Sequence, residues 1–439
     1  MPNEPRQYPA KLKIVPLAKP PKTVVSVPGS KSITNRALVL AALGGEKSVR
    51  LIGALRSEDT EVMIDSLRRL GFEIHEEWDV PGAEDSVAAV HPPVASSTDV
   101  ITELFVGNSG TSMRFLTALV ALRRGRFRLD GVARMRERPI AELLDALQQL
   151  GVDAVSESGN GCPPVIVNAT GLRGGRVQLR ADRSSQFLSA LLLACPFASG
   201  LTRIEVSGQV VSEPYVALTL AMLRQFGFEC EVLPGPIYRI DGNQKHRFSD
   251  EYRIEPDASA ASYFFAAAAI SGGTVTVTGL SRKCLQGDVR FVDVLQDMGC
   301  RVEECDSGIT VHGAPLHGVE VDMNGISDTV MTLAAVACFA DGPTTICNVA
   351  HIRHKETDRI AALAKELRKL GAEVDERADG LQITPRPLHG AEIETYDDHR
   401  MAMSLALVGL KTPGVTILDP GCVAKTYPGF WDDLERLRN

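Results

Sequence analysis

The feature that most constrains the fold is an internal repeat. A helix-like segment closing on a hydrophobic residue and glycine recurs as DSLRRLG, DALQQLG, AMLRQFG, VLQDMG and KELRKLG; the closing glycines are Gly71, Gly151, Gly227, Gly299 and Gly371. The gaps of 80, 76, 72 and 72 residues make the period nearly constant. Glycine after a helix supplies a left-handed cap that other residues resist. A short alternating strand follows each one: FEIHE, VDAVS, FECEV, CRVEE and AEVDE. A sixth copy falls at DDLERLRN.

A second series runs in phase with the first. Six helices rich in small apolar residues read NRALVLAALGG, TSMRFLTALVAL, SSQFLSALLLAC, ASYFFAAAAISGG, DTVMTLAAVACFADG and HRMAMSLALVGL. Most are followed by a turn and a strand, such as VRLIG, FRLDG and TRIEVSG. Helices apolar on nearly every face belong inside a domain, whereas the LxxLG helices keep a polar face, as at Glu366, Arg368 and Lys369, and belong outside. Each unit therefore reads as strand, buried helix, strand, amphipathic helix, strand. Six units of about 73 residues fill the 439-residue chain.

Six such units suggest two sets of three, hence two α/β domains of similar architecture. The polar stretch DGNQKHRFSDEYR marks a boundary near residues 242–254. An eight-fold barrel would need βα units of about 30 residues, which this period does not supply.

Charge and cysteine usage narrow the function classes. Forty-seven Lys and Arg against 55 Asp and Glu leave a net charge of −8, which argues against a nucleic-acid coat. Any anion site must come from local clustering. The longest apolar runs, at 191–195 and 264–270, are too short to span a bilayer, so no membrane partner is expected. The N-terminal segment MPNEPRQYPAKLK has no apolar signal core. Nine cysteines with no C-x-x-C pair point to reduced thiols in the cytoplasm, without a zinc knuckle.

The segments that introduce the helices carry the chemistry. Ser, Thr, Asp, Asn and Gly dominate them, as N-caps require. Many also carry a cation: Lys31, Arg36, Arg114, Arg134, Arg136, Arg138, Arg183, Lys355, Arg359, Arg400 and Lys425. Helix dipoles favour cations at the opposite end. Two like charges ~4 Å apart at an effective dielectric of ~20 repel by about 4 kcal/mol before screening. A net-acidic chain that repeats this pattern is building a pocket for a polyanion, with Arg136 expected on the solvated rim. Asp328 and Glu356 open the two helices of one unit and are the candidate proton-transfer carboxylates. Capping alone would also account for Asp328. Glu356, flanked by Lys355 and Asp358, could equally sit in a surface ion pair.

Several motifs fail on inspection. VPGSKS lacks the Gly-Lys step of a nucleotide-binding phosphate loop, because Ser30 intervenes. His351 and His354 are three apart but have no metal-ligand context, so no metal is expected. No G-x-S-x-G elbow anchors a hydrolase triad.

Eight segments together resemble the 5-enolpyruvylshikimate-3-phosphate (EPSP) synthase family of enolpyruvyl transferases. They are PGSKSITNRALVLAALG, LFVGNSGTSMRFL, RMRERPI, RSSQFLSALLLA, SEPY, HKETDRIAALAKELRKLGAEV, YDDHRMAMSLAL and DPGCVAKTYPGFW. They run in order from residue 28 to residue 431. The resemblance implies two similar globules, each of three βαβαββ units, of the inside-out α/β barrel type, joined by a hinge with two crossings. Residues 30–253 would form the first domain, on the shikimate 3-phosphate side; residues 1–29 and 254–439 would form the second. The hinge would let the domains close on substrate.

The implied reaction moves the enolpyruvyl group of phosphoenolpyruvate to the 5-hydroxyl of shikimate 3-phosphate. It releases phosphate through a tetrahedral intermediate, within the shikimate pathway to chorismate and the aromatic amino acids. By motif match, Lys31, Ser32, Arg36, Ser184, Ser185, Gln186, Ser212, Tyr215, Asp328, His351 and Lys355 would contact shikimate 3-phosphate. Lys31, Asn108, Gly110, Arg134, Gln186, Arg359, Arg400 and Lys425 would face phosphoenolpyruvate. Lys31, Asp328 and Glu356 would be catalytic: Asp328 as base at the hydroxyl, Glu356 as proton shuttle at the methylene carbon. Gly110 would let backbone approach the ligand. No cofactor and no nucleic acid are implied, and the family expectation is a cytoplasmic monomer.

Two positions depart from the family pattern. His351 stands where many members have Asn, and Phe115 where many have Pro, so inhibitor response does not follow from the resemblance. The competing readings are the sister enzyme that acts on a UDP-N-acetylsugar, a nucleic-acid-end enzyme, and a non-catalytic binding module. The first is disfavoured by RSSQF, SEPY and KETDR, the second by the net charge, and the third by the joint presence of Asp328, Glu356 and Lys425.

Overall fold

The structure, a computed structural model, describes residues 6–44, 48–79, 84–90, 100–244 and 250–438. Part of the expected boundary stretch, residues 245–249, lies outside them. The chain divides into two compact units, Gly29–Ile254 and Met1–Pro28 with Glu255–Asn439, and passes between them twice.

Each repeat builds one small sheet by the same route. In the second repeat, strand Ile101–Phe105 is followed by helix Gly110–Ala121, and the chain returns in parallel as Arg124–Asp130, with Ile101 opposite Arg126. A parallel return needs a crossover of this length, which the buried helix supplies. Amphipathic helix Ala141–Gln149 follows, then strands Asp153–Ser156 and Val165–Thr170. Val165–Thr170 pairs antiparallel with both Arg124–Asp130 and Asp153–Ser156. The third and fifth repeats have the same strand order, and the βαβαββ unit is complete in each.

The first and fourth repeats exchange a strand, which the sequence reading of contiguous units missed. Strand Lys22–Val25 precedes the first buried helix, Lys31–Leu43, yet it pairs in parallel with Thr274–Thr278 of the fourth repeat. Strand Glu251–Arg253 precedes the fourth buried helix, Ala258–Ser271, yet it pairs with Val49–Ile52 of the first. In the sixth repeat the antiparallel partner of Thr416–Leu418 is the N-terminal strand Lys11–Lys13. Strands held by ladder hydrogen bonds need not belong to the neighbouring helix in sequence; periodicity marks a strand but not its partner.

The core of each unit is a trio of buried helices in mutual contact. In the second unit of sequence, Ala258–Ser271, Val330–Ala337 and His399–Gly409 pack together, and Ser262, Thr332 and Ser404 link their hydroxyls at 3.1 and 3.2 Å. In the other unit Lys31–Leu43, Gly110–Ala121 and Ser185–Ala194 do the same. Every residue of Gly110–Ala121 is buried, as expected for a helix apolar all round. The closing glycines adopt left-handed conformations, φ +88° at Gly71 and +100° at Gly371. Among the described residues, no helix is long and apolar enough to cross a membrane.

Candidate active site

The first cluster grows from helix N-termini of unit Gly29–Ile254. Ser30 caps helix Lys31–Leu43, accepting from the Ile33 amide, and so leaves Lys31 at the first helical position. Its ammonium lies 3.3 Å from Asp59, in the first turn of helix Glu58–Arg69; the side chains are 12 % and 4 % exposed. A buried cation at a helix N-terminus is unfavourable by the dipole alone, and Asp59 offsets it.

Arg36 is one turn deeper and 2 % exposed. It donates to the Thr219 hydroxyl at 2.8 Å, the Ser32 carbonyl at 2.9 Å, the Tyr215 carbonyl at 3.3 Å and the Ser189 hydroxyl at 3.4 Å. Its guanidinium lies over the Phe115 ring at 5.1 Å. Burial pushes its pKa down to about 10. Arg36 thus ties its own helix to three others of the unit. Ser32 and Tyr215 are half-buried near it.

Ser109 caps helix Gly110–Ala121. Arg138 reaches this terminus: its Nη1 donates to the Asn108 carbonyl at 3.0 Å and contacts Asn108 Oδ1 at 3.4 Å. A Cβ at Gly110 would collide with the Arg138 guanidinium and come within 3.1 Å of Arg114 Nη1. A side chain here would have to displace the ends of two arginines, a constraint that close ligand approach did not anticipate. Arg134 is placed differently from Arg138. It pairs with Glu137 at 2.7 Å and is 32 % exposed, whereas Arg138 is 3 % exposed. Both stand in RMRERPI, and only the fold tells them apart.

Gln186 donates to the Thr111 hydroxyl at 3.3 Å, and Ser184 caps its helix by accepting from the Gln186 amide at 3.2 Å. Ser185 is buried in the same turn. Ser212 holds a left-handed φ of +51° at the start of helix Glu213–Gln225, which carries Tyr215. Such a backbone is uncommon outside glycine and collects at functional turns. Arg136, expected on the rim, is 53 % exposed and forms a two-point pair with Asp130.

The second cluster, in the other unit, centres on Arg359, the first residue of helix Arg359–Lys369 and 1 % exposed. It donates to Asp398 at 2.7 and 3.2 Å, to Glu356 at 2.9 Å and to Asp328 at 3.3 Å. Burial opposes its charge, but Asp398, Glu356 and Asp328 together hold its pKa above the usual guanidinium range. Arg400 donates to the other Asp328 oxygen at 2.8 Å, and Lys355 lies 3.9 Å from Asp328. The N-cap of helix Val330–Ala337 is Thr329, so Asp328 is held by cations. Glu356 is 7 % exposed and paired with Arg359, which excludes a solvated surface pair.

His351 is 5 % exposed in the turn Ala350–His354, and burial, aided by Lys355, pushes its pKa down to about 3. It is neutral at physiological pH. Lys425 ends the turn Pro420–Lys425 and is 5 % exposed. Asp288 is also buried beside this cluster. Burial first, and the charge of Asp328 second, push its carboxyl up to about 6, and Ser259 contacts it directly. Among the described residues, no group of three or more His, Cys, Asp or Glu side chains is placed to hold a metal ion.

What these clusters offer is cations at helix N-termini beside carboxylates that they pin, the equipment for phosphate and carboxylate ligands with proton transfer. Residues 18–434 match the family model of EPSP synthase (3-phosphoshikimate 1-carboxyvinyltransferase). A 3-phosphoshikimate 1-carboxyvinyltransferase of Shewanella sp. (strain ANA-3) is 46% identical over 416 residues, 94% of this chain and 96% of that one. One from Nostoc punctiforme is 45% identical over 421 residues, 96% and 97% of the two chains. The EPSP synthase structure of Acinetobacter baumannii superposes with a TM-score of 0.79 at 26% identity, covering 97% of this chain and 98% of that one.

Proposed function

The chain belongs to the EPSP synthase family, and from that premise we propose how its side chains divide the reaction. The enzyme transfers the enolpyruvyl group of phosphoenolpyruvate to shikimate 3-phosphate, a step of the shikimate pathway. In the addition step the 5-hydroxyl oxygen bonds to C2 of phosphoenolpyruvate and C3 gains a proton, giving a tetrahedral ketal. In the elimination step C3 loses a proton and the C2–O bond to phosphate breaks, so atoms and charge balance.

Asp328 takes the hydroxyl proton, and Glu356 handles the proton at C3 together with Lys31. Supporting this, Asp328 and Glu356 share the buried Arg359, so proton transfer at one carboxylate is felt by the other through a common cation. Arg359, Arg400, Lys425, Asn108, Gly110, Arg134 and Gln186 bind phosphoenolpyruvate. Arg138 joins them, because it stands against Asn108. Lys31, Ser32, Ser184, Ser185, Gln186, Ser212 and Tyr215 hold shikimate 3-phosphate, with Lys355 and the neutral His351. Arg36 keeps their helices in register and faces the same ligand. The enzyme works in the cytoplasm as a monomer. Its nine free cysteines support a reducing compartment, and light scattering of the purified protein would count its subunits.

The single observation that carries the reading is the sharing of Arg359 by Asp328, Glu356 and Asp398. The test is phosphate release by purified protein given shikimate 3-phosphate and phosphoenolpyruvate without added metal. Release must require both. If a UDP-N-acetylsugar replaces the shikimate substrate and release persists at the same rate, the acceptor assignment is wrong.

A further inference from the structure

Helix Arg359–Lys369 grips the segment 394–400 at two points, and the mechanism above uses only one. At the helix start Arg359 holds Asp398. Seven residues along, Glu366 carries a carboxylate with no solvent exposure. It accepts from the Tyr396 hydroxyl at 2.5 Å and the Glu394 backbone N–H at 3.1 Å, and its charge is balanced by Lys369 at 2.7 Å. Residues seven apart share a helix face, so both grips address one stretch of chain.

Between the grips the backbone is strained. Tyr396 and Asp397 have φ of +57° and +53°, two consecutive non-glycine residues in the left-handed region. Such a turn persists only when its surroundings over-determine it. Immediately after it, Asp398 caps helix His399–Gly409 by accepting from the Arg400 amide at 2.9 Å. The direction in which Arg400 leaves the helix therefore depends on this turn. The charged groups around the distal grip are Lys369 and Lys365, the latter 5.4 Å from the centre of the Tyr396 ring, with Glu394 nearby. Burial and the Glu366 carboxylate push the Tyr396 pKa up, so the hydroxyl stays a donor.

We infer that Glu366 is a positioning residue for phosphoenolpyruvate binding: by fixing Glu394 and Tyr396 it holds the left-handed turn that sets Asp398 against Arg359 and presents Arg400 beside Asp328. The inference rests on the assignment of Arg359 and Arg400 to phosphoenolpyruvate. Glu366 itself acts through the turn and touches no substrate.

The test is steady-state kinetics and amide hydrogen exchange on full-length Glu366→Ala, Glu366→Gln and Tyr396→Phe. In Glu366→Ala the KM for phosphoenolpyruvate should rise about tenfold, because small misplacements of positioning groups are costly, while the KM for shikimate 3-phosphate stays within about twofold. Glu366→Gln should recover most of the loss, since its amide oxygen still accepts one of the two donors. Amides of residues 394–400 should exchange faster in Glu366→Ala. Equal rises in both KM values, or unchanged exchange at 394–400, would overturn the clamp. If Glu366→Ala does not fold, Tyr396→Phe decides by the same KM split and the same amides. A wild-type protein that fails to turn over both substrates sinks the functional reading instead, and the exchange measurement still judges the clamp.

Discussion

Arg359 and Asp398 form a two-point ion pair at 2.7 and 3.2 Å with side chains only 1 % and 0 % exposed, and the same Asp398 caps the helix that carries Arg400. One carboxylate thus orients two arginines on different elements. Its removal leaves a buried guanidinium with less compensation and a helix end without its cap. Asp398→Ala should lose about 3–5 kcal/mol in urea unfolding, the usual cost of breaking one side of a buried pair. A loss below about 1 kcal/mol, the scale of a surface pair, would show that the pair is not structural.

Asp328 and Glu356 answer to the same arginine, and the proposal above gives them different tasks. Asp328→Ala and Glu356→Gln should each lower kcat by more than the ~10²–10⁴ of one acid–base group, because each change also unbalances Arg359. Circular dichroism should show both folded. Near-normal turnover in either variant would remove that residue from the proton path.

The arginines of RMRERPI separate by burial. Gly110→Ala should push Arg138 aside and raise the KM for phosphoenolpyruvate about tenfold, with the KM for shikimate 3-phosphate little changed. Arg138→Gln should cost at least as much. Arg134→Gln, at a side chain about ten times more exposed than that of Arg138 and paired with the exposed Glu137, should cost less than Arg138→Gln. Equal losses in Arg134→Gln and Arg138→Gln would show that burial does not rank the two arginines.

Asp288 gives the cluster a pH signature. Its carboxyl is pushed up from 3.8 to about 6 in the fold, chiefly by burial. A raised folded value means that its contribution is complete below pH 3.8, declines as pH rises, and is gone above about pH 6. Two pKa units correspond to ~3 kcal/mol. His351, pushed down to about 3, tilts stability the other way, losing it as pH falls below 6.5. That tilt is common to wild type and Asp288→Asn, so the difference between their urea midpoints from pH 4 to 7 isolates Asp288. The wild type should lose stability relative to Asp288→Asn as pH rises through this window. Parallel curves would mean that Asp288 titrates normally.

The repeat, the closing glycines and most of the polarity of each helix were legible in the sequence because they are local properties. Glu366, read as part of an outer polar face, is instead fully buried, because Tyr396, the Glu394 backbone and Lys369 satisfy its carboxylate. Gly71 and Gly371 take the left-handed caps that the pattern requires, and Gly110–Ala121 is buried throughout as its composition dictates. The residue types of the site were legible for a similar reason: Lys31, Arg359 and Arg400 stand in the opening turns of helices, where caps and cations can be read from short motifs. Tertiary structure alone decided what those groups meet. It paired Lys22–Val25 with a strand 252 residues away, set Arg138 against Asn108, tied Arg36 to Thr219 and Ser189, and set Glu366 against Tyr396. A local pattern fixes which backbone conformation and which burial a residue prefers. The partner of a strand edge or of a buried charge is fixed only when distant segments pack, because desolvation makes each such group require a counterpart that the neighbouring sequence does not contain.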